Sequence, residues 1–93
     1  MKRYTMGANK VLAEVSNILE ERGKKYGNYK DNFEETAGIW SVVLGKKITI
    51  EDFALCMIAV KMNRLKVTPK HKDSWLDIIG YSTLIVQGLD DES

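Results

Sequence analysis

Residues 49–60 read Thr-Ile-Glu-Asp-Phe-Ala-Leu-Cys-Met-Ile-Ala-Val, and this stretch carries the clearest structural signal in the chain. Thr49 stands three positions before Asp52, which is the spacing of a helix capping box. Acidic residues in a first helical turn also suit the positive end of the helix dipole. Residues 53–60 are apolar around most of the helix circumference, as in a helix buried on more than one side. The stretch therefore predicts a central helix, which Pro69 terminates.

Apolar residues recur at helical spacing in three further segments. These segments span about 8–22, about 32–44 and about 73–87. Asp31 and Glu34 have the spacing of a capping box for the second helix, and Gly23, Gly45 and Gly88 are the predicted helix ends. No segment alternates with period two for long enough to make a strand. We expect an all-α chain of four helices that forms a single domain over residues 1–93.

The composition narrows the class of protein. Hydrophobic residues make up 44% of the 93 residues and charged residues 29%, which is typical of a globular chain. A formal net charge of +1 argues against general nucleic-acid binding. The single cysteine, Cys56, excludes a disulfide within the chain and a cysteine zinc cluster, and favours a cytoplasmic setting. No apolar run is long enough to predict a membrane span.

The third and fourth helices are apolar over more of their surface than four short helices can cover. Excess apolar surface usually marks an interaction site. We therefore expect a homo-oligomer, a dimer or tetramer, with the third or fourth helix in the subunit interface.

Residues 20–32, Glu-Glu-Arg-Gly-Lys-Lys-Tyr-Gly-Asn-Tyr-Lys-Asp-Asn, lie between the first two helical patterns. The segment is longer and more charged than a plain turn requires. Arg22, Lys24, Lys25 and Lys30 can contact a phosphate, and Tyr26 and Tyr29 can stack on a base. The alternative is a solvated charged loop whose Tyr26 packs against the helices.

Three polar residues of the fourth helix, Asp73, Asp77 and Tyr81, share one face at spacing i, i+4, i+8. Two carboxylates one turn apart can hold Mg²⁺. The alternative is that Asp73 caps the helix and Asp77 pairs with a cation on a neighbouring helix.

Lys61 and Arg64 interrupt the apolar third helix and share a face at i, i+3. Arg64 can bind a phosphate or a carboxylate through its forked guanidinium. The alternative is that both cations bridge to Asp73 and Asp77 across the helix pair, which would make them structural.

Three segments carry a resemblance to a known family. Residues 20–27, residues 32–33 and residues 73–81 resemble a family of small uncharacterised proteins common in bacteriophage and prophage genomes. Their order and spacing cover most of the chain. The resemblance implies a phage-type protein that acts in the host cytoplasm, and it transfers no activity.

The run Asp77-Ile78-Ile79-Gly80-Tyr81 is also similar, more distantly, to the last metal-binding helix of the MazG-like all-α nucleotide pyrophosphohydrolases. This resemblance implies an oligomeric helical bundle and, for an enzyme, Mg²⁺-dependent cleavage of nucleoside triphosphates. Asp77 matches the final metal-binding aspartate of that family.

Two departures from the MazG-like pattern change what is expected. Ser74 stands where that family has an acid, three residues before Asp77, and the third helix lacks the paired glutamates. With these departures, the resemblance implies nucleotide binding in which basic residues replace the metal ion as the partners of the phosphates.

The sequence thus supports two hypotheses. The first is a MazG-like protein that binds a nucleotide or a related phosphorylated small molecule, with an incomplete metal site at Asp73 and Asp77. Its predicted ligand-binding residues are Arg22, Lys25, Tyr26, Asn32, Lys61, Arg64 and Tyr81. The second is a non-catalytic sequestering or protein-interaction module in which the same polar residues are structural.

Overall fold

A computed structural model of the protein describes the backbone of residues 2–92 and the side chains of residues 7–91. The helices are α1 (Lys2–Tyr26), α2 (Tyr29–Leu44), α3 (Ile50–Val67) and α4 (Lys72–Glu92). No strand occurs over residues 2–92, so the prediction of an all-α chain with four helices is confirmed. None of the described helices is both long enough and apolar enough to cross a bilayer.

The capping box predicted at the start of α3 is present. The Thr49 hydroxyl accepts from the Asp52 backbone N–H at 3.0 Å, and the Asp52 carboxylate accepts from the Thr49 backbone N–H at 3.0 Å. This bond from the Thr49 backbone, together with the bond to the Thr49 side chain, lowers the pKa of Asp52. The cap therefore favours the ionised carboxylate, and its contribution is lost as the pH falls below the ordinary pKa of 3.8 and through the lowered value.

Thr49→Ala removes the hydroxyl acceptor and is expected to lower the free energy of unfolding by about 1 kcal/mol. Thr49→Ser keeps an acceptor at the same position and is expected to stay within about 0.5 kcal/mol of the wild type. Urea denaturation followed by circular dichroism measures both variants. Equal stability of the alanine and serine variants would contradict the assigned cap.

The junction between α1 and α2 is shorter than the sequence predicted. Gly23 lies inside α1, which continues to Tyr26, and only Gly27 and Asn28 separate the two helices. Gly27 has a φ of 83°, and its N–H donates to the Gly23 carbonyl at 2.9 Å. The prediction of a long charged loop was therefore wrong: most of residues 20–32 form two helix ends.

The predicted cap of α2 was also wrong. Asn28, not Asp31, caps the helix, and its side-chain oxygen accepts from the Lys30 backbone N–H at 2.8 Å. Asp31 lies in the first turn, where its charge still suits the helix dipole. Gly45 ends α2 as predicted, with a φ of 70°.

Helix α4 continues past Gly88, its predicted end, to Glu92. Gly88 instead lies where α2 approaches α4: a Cβ at this position would be 3.3 Å from the Tyr29 hydroxyl. The glycine provides space for a neighbouring ring rather than a helix stop.

The helices form two layers. Helices α3 and α4 make the most extensive contact, while α2 packs on α3 and α1 packs on α4. The aromatic core lies between α2, α3 and α4, where Phe33 and Phe53 are each 6% exposed and meet with ring centroids 4.9 Å apart. Trp40 and Tyr81 pack against this core. The arrangement leaves a cavity on the other side of Phe33, next to α1.

Candidate functional site

A cavity of about 1040 Å³ lies between α1, α2 and α4 and reaches one residue of α3. Its polar and aromatic lining consists of Ser16, Glu20, Arg22, Tyr26, Asn28, Tyr29, Asn32, Phe33, Lys61, Asp77, Tyr81, Thr83 and Gln87. We call it the tyrosine cavity, after Tyr26, Tyr29 and Tyr81. Residues of the charged segment 20–32 therefore form one wall of the cavity. Lys61 of α3 and Asp77 and Tyr81 of α4 line the same cavity.

Asp77 is the centre of the charges in the tyrosine cavity. One of its oxygens, Oδ1, accepts from Arg22 Nη2 at 3.0 Å, and Oδ2 lies 3.1 Å from Lys61 Nζ. The side chains of Asp77 and Lys61 are 15% and 13% exposed, whereas that of Arg22 is 50% exposed. This charged cluster joins three helices, and Arg22 is its solvent-facing member.

Tyr81 follows Asp77 by one helical turn and lies between the cavity and the aromatic core. Its ring centroid is 5.9 Å from that of Phe33 and 6.5 Å from that of Phe53. Burial raises the pKa of the Tyr81 hydroxyl, Asp77 raises it further, and Arg22 partly opposes both. Tyr81 is therefore a neutral hydrogen-bonding group at physiological pH, not a phenolate.

Of the predicted ligand-binding residues, Arg22, Tyr26, Asn32, Lys61 and Tyr81 line the tyrosine cavity. Two others do not line it.

Lys25 is exposed on α1, with its Nζ 5.6 Å from the centroid of the Tyr26 ring. Arg64 is exposed on α3 and makes no ion pair with any side chain in the range 7–91. Of the two α3 cations, only Lys61 faces Asp77. Of the alternative in which both α3 cations bridge to Asp73 and Asp77, the structure shows only the pair between Lys61 and Asp77.

The two predicted metal ligands occupy different environments. Asp73 is exposed in the first turn of α4, outside the cavity lining, while both oxygens of Asp77 are engaged by cations. Within the described side chains, no three His, Cys, Asp or Glu residues gather as a metal site would require. This donor set does not fit the Mg²⁺ site implied by the MazG-like resemblance, in which two acids on each of two helices hold the ion. Magnesium binding stays a prediction, to be measured directly.

Two amides of the cavity, Asn28 and Gln87, were not predicted from the sequence. Asn28 follows Gly27, and an Asn after a glycine is a recognisable helix-cap signal. Gln87 lies one helical turn after Thr83, another residue of the cavity lining, but it stands at the predicted end of α4 and was not assigned to the site.

Comparison with known proteins finds relatives in mycobacteriophages. The chain is 38% identical over 73 residues to the Gene 55 protein of Mycobacterium phage D29, an alignment that covers 77% of this chain and 48% of the relative. It is 35% identical over 77 residues to the Gene 55 protein of Mycobacterium phage L5, covering 81% of this chain and 49% of the relative. The chain thus spans about half the length of these curated relatives.

No solved structure matches the chain significantly. A family model described as a domain of unknown function, DUF6378, matches residues 10–88. This range holds every residue of the charged cluster and of the tyrosine cavity named above. With the phage relatives, the match confirms the predicted resemblance to a family of uncharacterised phage proteins: the chain belongs to the DUF6378 family.

Proposed function

We propose that the protein binds a nucleotide-like, phosphorylated small molecule in the tyrosine cavity. One observation carries the proposal: a single cavity joins a half-exposed arginine, paired with a carboxylate that is 15% exposed, to three tyrosines. Small-molecule sites typically have volumes of about 300–1,000 Å³ with a few convergent polar groups. The volume of about 1040 Å³ is at the upper end of that range.

Arg22 and Lys61 supply the phosphate end. A guanidinium has five N–H donors and an ammonium three, so the bonds to Asp77 leave donors on both residues for a second anion. Asp77 holds the two cations in place before a ligand arrives, which reduces the cost of ordering them on binding.

The balance of charge favours a ligand with few phosphates. Arg22 and Lys61 together carry one positive charge more than Asp77, and the other charged lining residue, Glu20, pairs with Lys24 at 4.0 Å. One phosphate group matches this excess better than a triphosphate does.

The tyrosines supply the base end. Tyr26 is 64% exposed and offers a ring face for stacking, which contributes about 1–3 kcal/mol per base in nucleic-acid sites. Asn32 and Gln87 offer donors and acceptors for a base edge. This is the MazG-like hypothesis without hydrolysis: the nucleotide is bound, and Arg22 and Lys61 contact its phosphate in place of a metal ion.

Thermal unfolding of the whole chain tests this proposal against nucleoside monophosphates, nucleoside triphosphates and inorganic phosphate, each with and without Mg²⁺. A monophosphate is expected to raise the melting temperature without Mg²⁺. At 100 times its dissociation constant the ligand adds about 2.7 kcal/mol. Arg22→Gln is expected to lose this shift.

Arg64→Gln is the matched control, because it removes an exposed arginine outside the cavity and should keep the shift. Equal shifts in the two variants, or no shift with any ligand, would overturn the proposal. Release of pyrophosphate that depends on Mg²⁺ would instead support the hydrolytic form of the MazG-like hypothesis.

Two observations favour the second hypothesis, a non-catalytic interaction module. Both Asp77 oxygens are already paired within the chain, and α3 and α4 carry large exposed apolar side chains. In that case the charged cluster serves only to hold the helices together.

A further inference from the structure

On α3, two exposed apolar side chains lie on the side away from α2. Phe53 packs against Phe33 and Trp40 of α2, with ring centroids 4.9 and 5.2 Å away. Leu55 and Met62 follow Phe53 by two and nine residues, which at about 100° per residue puts them roughly opposite it around the helix. They are 64% and 60% exposed.

On α4, a matching pair lies away from α1. A Cβ at Gly80 would be 3.5 Å from Leu19, so this side of α4 faces α1. Trp75 and Val86 stand five residues before and six residues after Gly80, about 120–140° around the helix from it. They are 52% and 55% exposed.

The Trp75 ring offers an apolar surface because its one polar atom is satisfied. Its Nε1–H donates to the Pro69 carbonyl at 2.9 Å, within the α3–α4 turn. Since α1 and α2 contact each other on one side of the α3–α4 hairpin, Leu55, Met62, Trp75 and Val86 lie together on the other. We call these four residues the outer face.

The outer face has charges of opposite sign at its two ends. A short turn makes α3 and α4 antiparallel, so the start of α3 lies beside the end of α4. Exposed Glu51 and Asp91 make that end acidic, and exposed Lys66 and Lys70 make the other end basic. A partner that is apolar in the middle, basic at one end and acidic at the other would match it, and a reversed second copy has this pattern.

The exposed area is large for a single folded chain of this size. The chain exposes 7257 Å². A folded monomer of 10.6 kDa is expected to expose about 5,500 Å². A stable protein interface removes about 800 Å² from each partner, so the excess is more than one such interface requires.

We infer that the outer face binds a second copy of this chain, with the two α3 helices antiparallel across a two-fold axis. Leu55 and Met62 are equally far from the midpoint between Ile58 and Ala59, as are Glu51 and Lys66. An axis through that midpoint brings Leu55 against Met62 of the partner subunit. It also brings Glu51 beside Lys66 of the partner subunit, in the isologous pattern of a closed dimer.

Sedimentation of the whole chain over a range of concentrations tests the inference. The wild type is expected to sediment at twice 10.6 kDa, and Leu55→Glu at 10.6 kDa with its helical circular dichroism unchanged. Val42→Glu is the matched control, because Val42 is an 83% exposed apolar residue of α2 outside the outer face. It should remain dimeric.

A charge exchange tests the antiparallel arrangement. Lys66→Glu places like charges together at both ends of the interface and is expected to weaken the dimer roughly tenfold. Adding Glu51→Lys to it should restore the affinity. A monomeric wild type, dissociation by Val42→Glu as complete as by Leu55→Glu, or a double variant as weak as the single one would overturn the inference and leave the face to another partner.

Discussion

Asp77→Ala is expected to lower the free energy of unfolding by about 3 kcal/mol, because it leaves the Lys61 ammonium unpaired at a largely buried position. Total stability for a domain of this length is roughly 5–14 kcal/mol, so this is a large fraction. The melting temperature should fall by about 12–24 °C. Chemical denaturation of wild type and variant at the same protein concentration measures the difference, because the apparent stability of an associating chain depends on concentration.

Asp73→Ala is the control for this change. Asp73 is an exposed carboxylate one turn earlier on the same helix, and its removal is expected to cost no more than about 1 kcal/mol, from the helix dipole. Equal losses in the two variants would contradict the assignment of Asp77 as the centre of the charged cluster.

A double variant separates the role of the charge pair from the role of packing. In Lys61→Met with Asp77→Leu, both charges are replaced by apolar side chains, and this exchange is often neutral or stabilising for a buried pair. We therefore expect the double variant to be more stable than Asp77→Ala. Its loss of ligand binding, with the fold intact, would then show that the cluster serves binding as well as structure.

Phe53→Ala is the second change with a large expected effect, about 3–5 kcal/mol of unfolding free energy. Phe53 is 6% exposed and packs against Phe33, Trp40 and Tyr81, so its truncation opens a cavity between α2, α3 and α4. Phe53→Leu keeps most of the volume and should cost less than about 1.5 kcal/mol. Denaturation curves of the two variants measure the difference.

An exposed apolar residue, Val42, is the control for truncation of the buried Phe53. Val42→Ala removes a side chain that is 83% exposed and should change stability by less than about 0.5 kcal/mol. A Phe53→Ala variant that is no less stable than Val42→Ala would refute the central position of Phe53.

Tyr81 connects the aromatic core with the tyrosine cavity, because its ring packs against the core and also lines the cavity. Loss of Phe53 removes one of the rings that position Tyr81. We therefore expect core changes to affect the ligand site through Tyr81, whereas changes on the outer face act on association alone.

Features that depend on near neighbours in the chain could be predicted from the sequence. The Thr49–Asp52 cap and the stop at Gly45 are local hydrogen-bond and backbone requirements, and both are present as predicted. The same local rules failed at Gly23 and Gly88. A glycine permits a helix end without requiring one, and at Gly88 the nearby Tyr29 ring is what needs the space.

Which polar residues meet depends on how the helices pack against one another, and local sequence rules do not give that packing. Lys61 and Arg64 have the same kind of charge and neighbouring positions, but only Lys61 points between α1 and α4 toward Asp77. Arg22 reaches Asp77 from 55 residues away because α1 packs on α4. Helical spacing predicts which residues share a face, but the charged cluster depends on which faces pack together, and burial across the whole chain sets that packing.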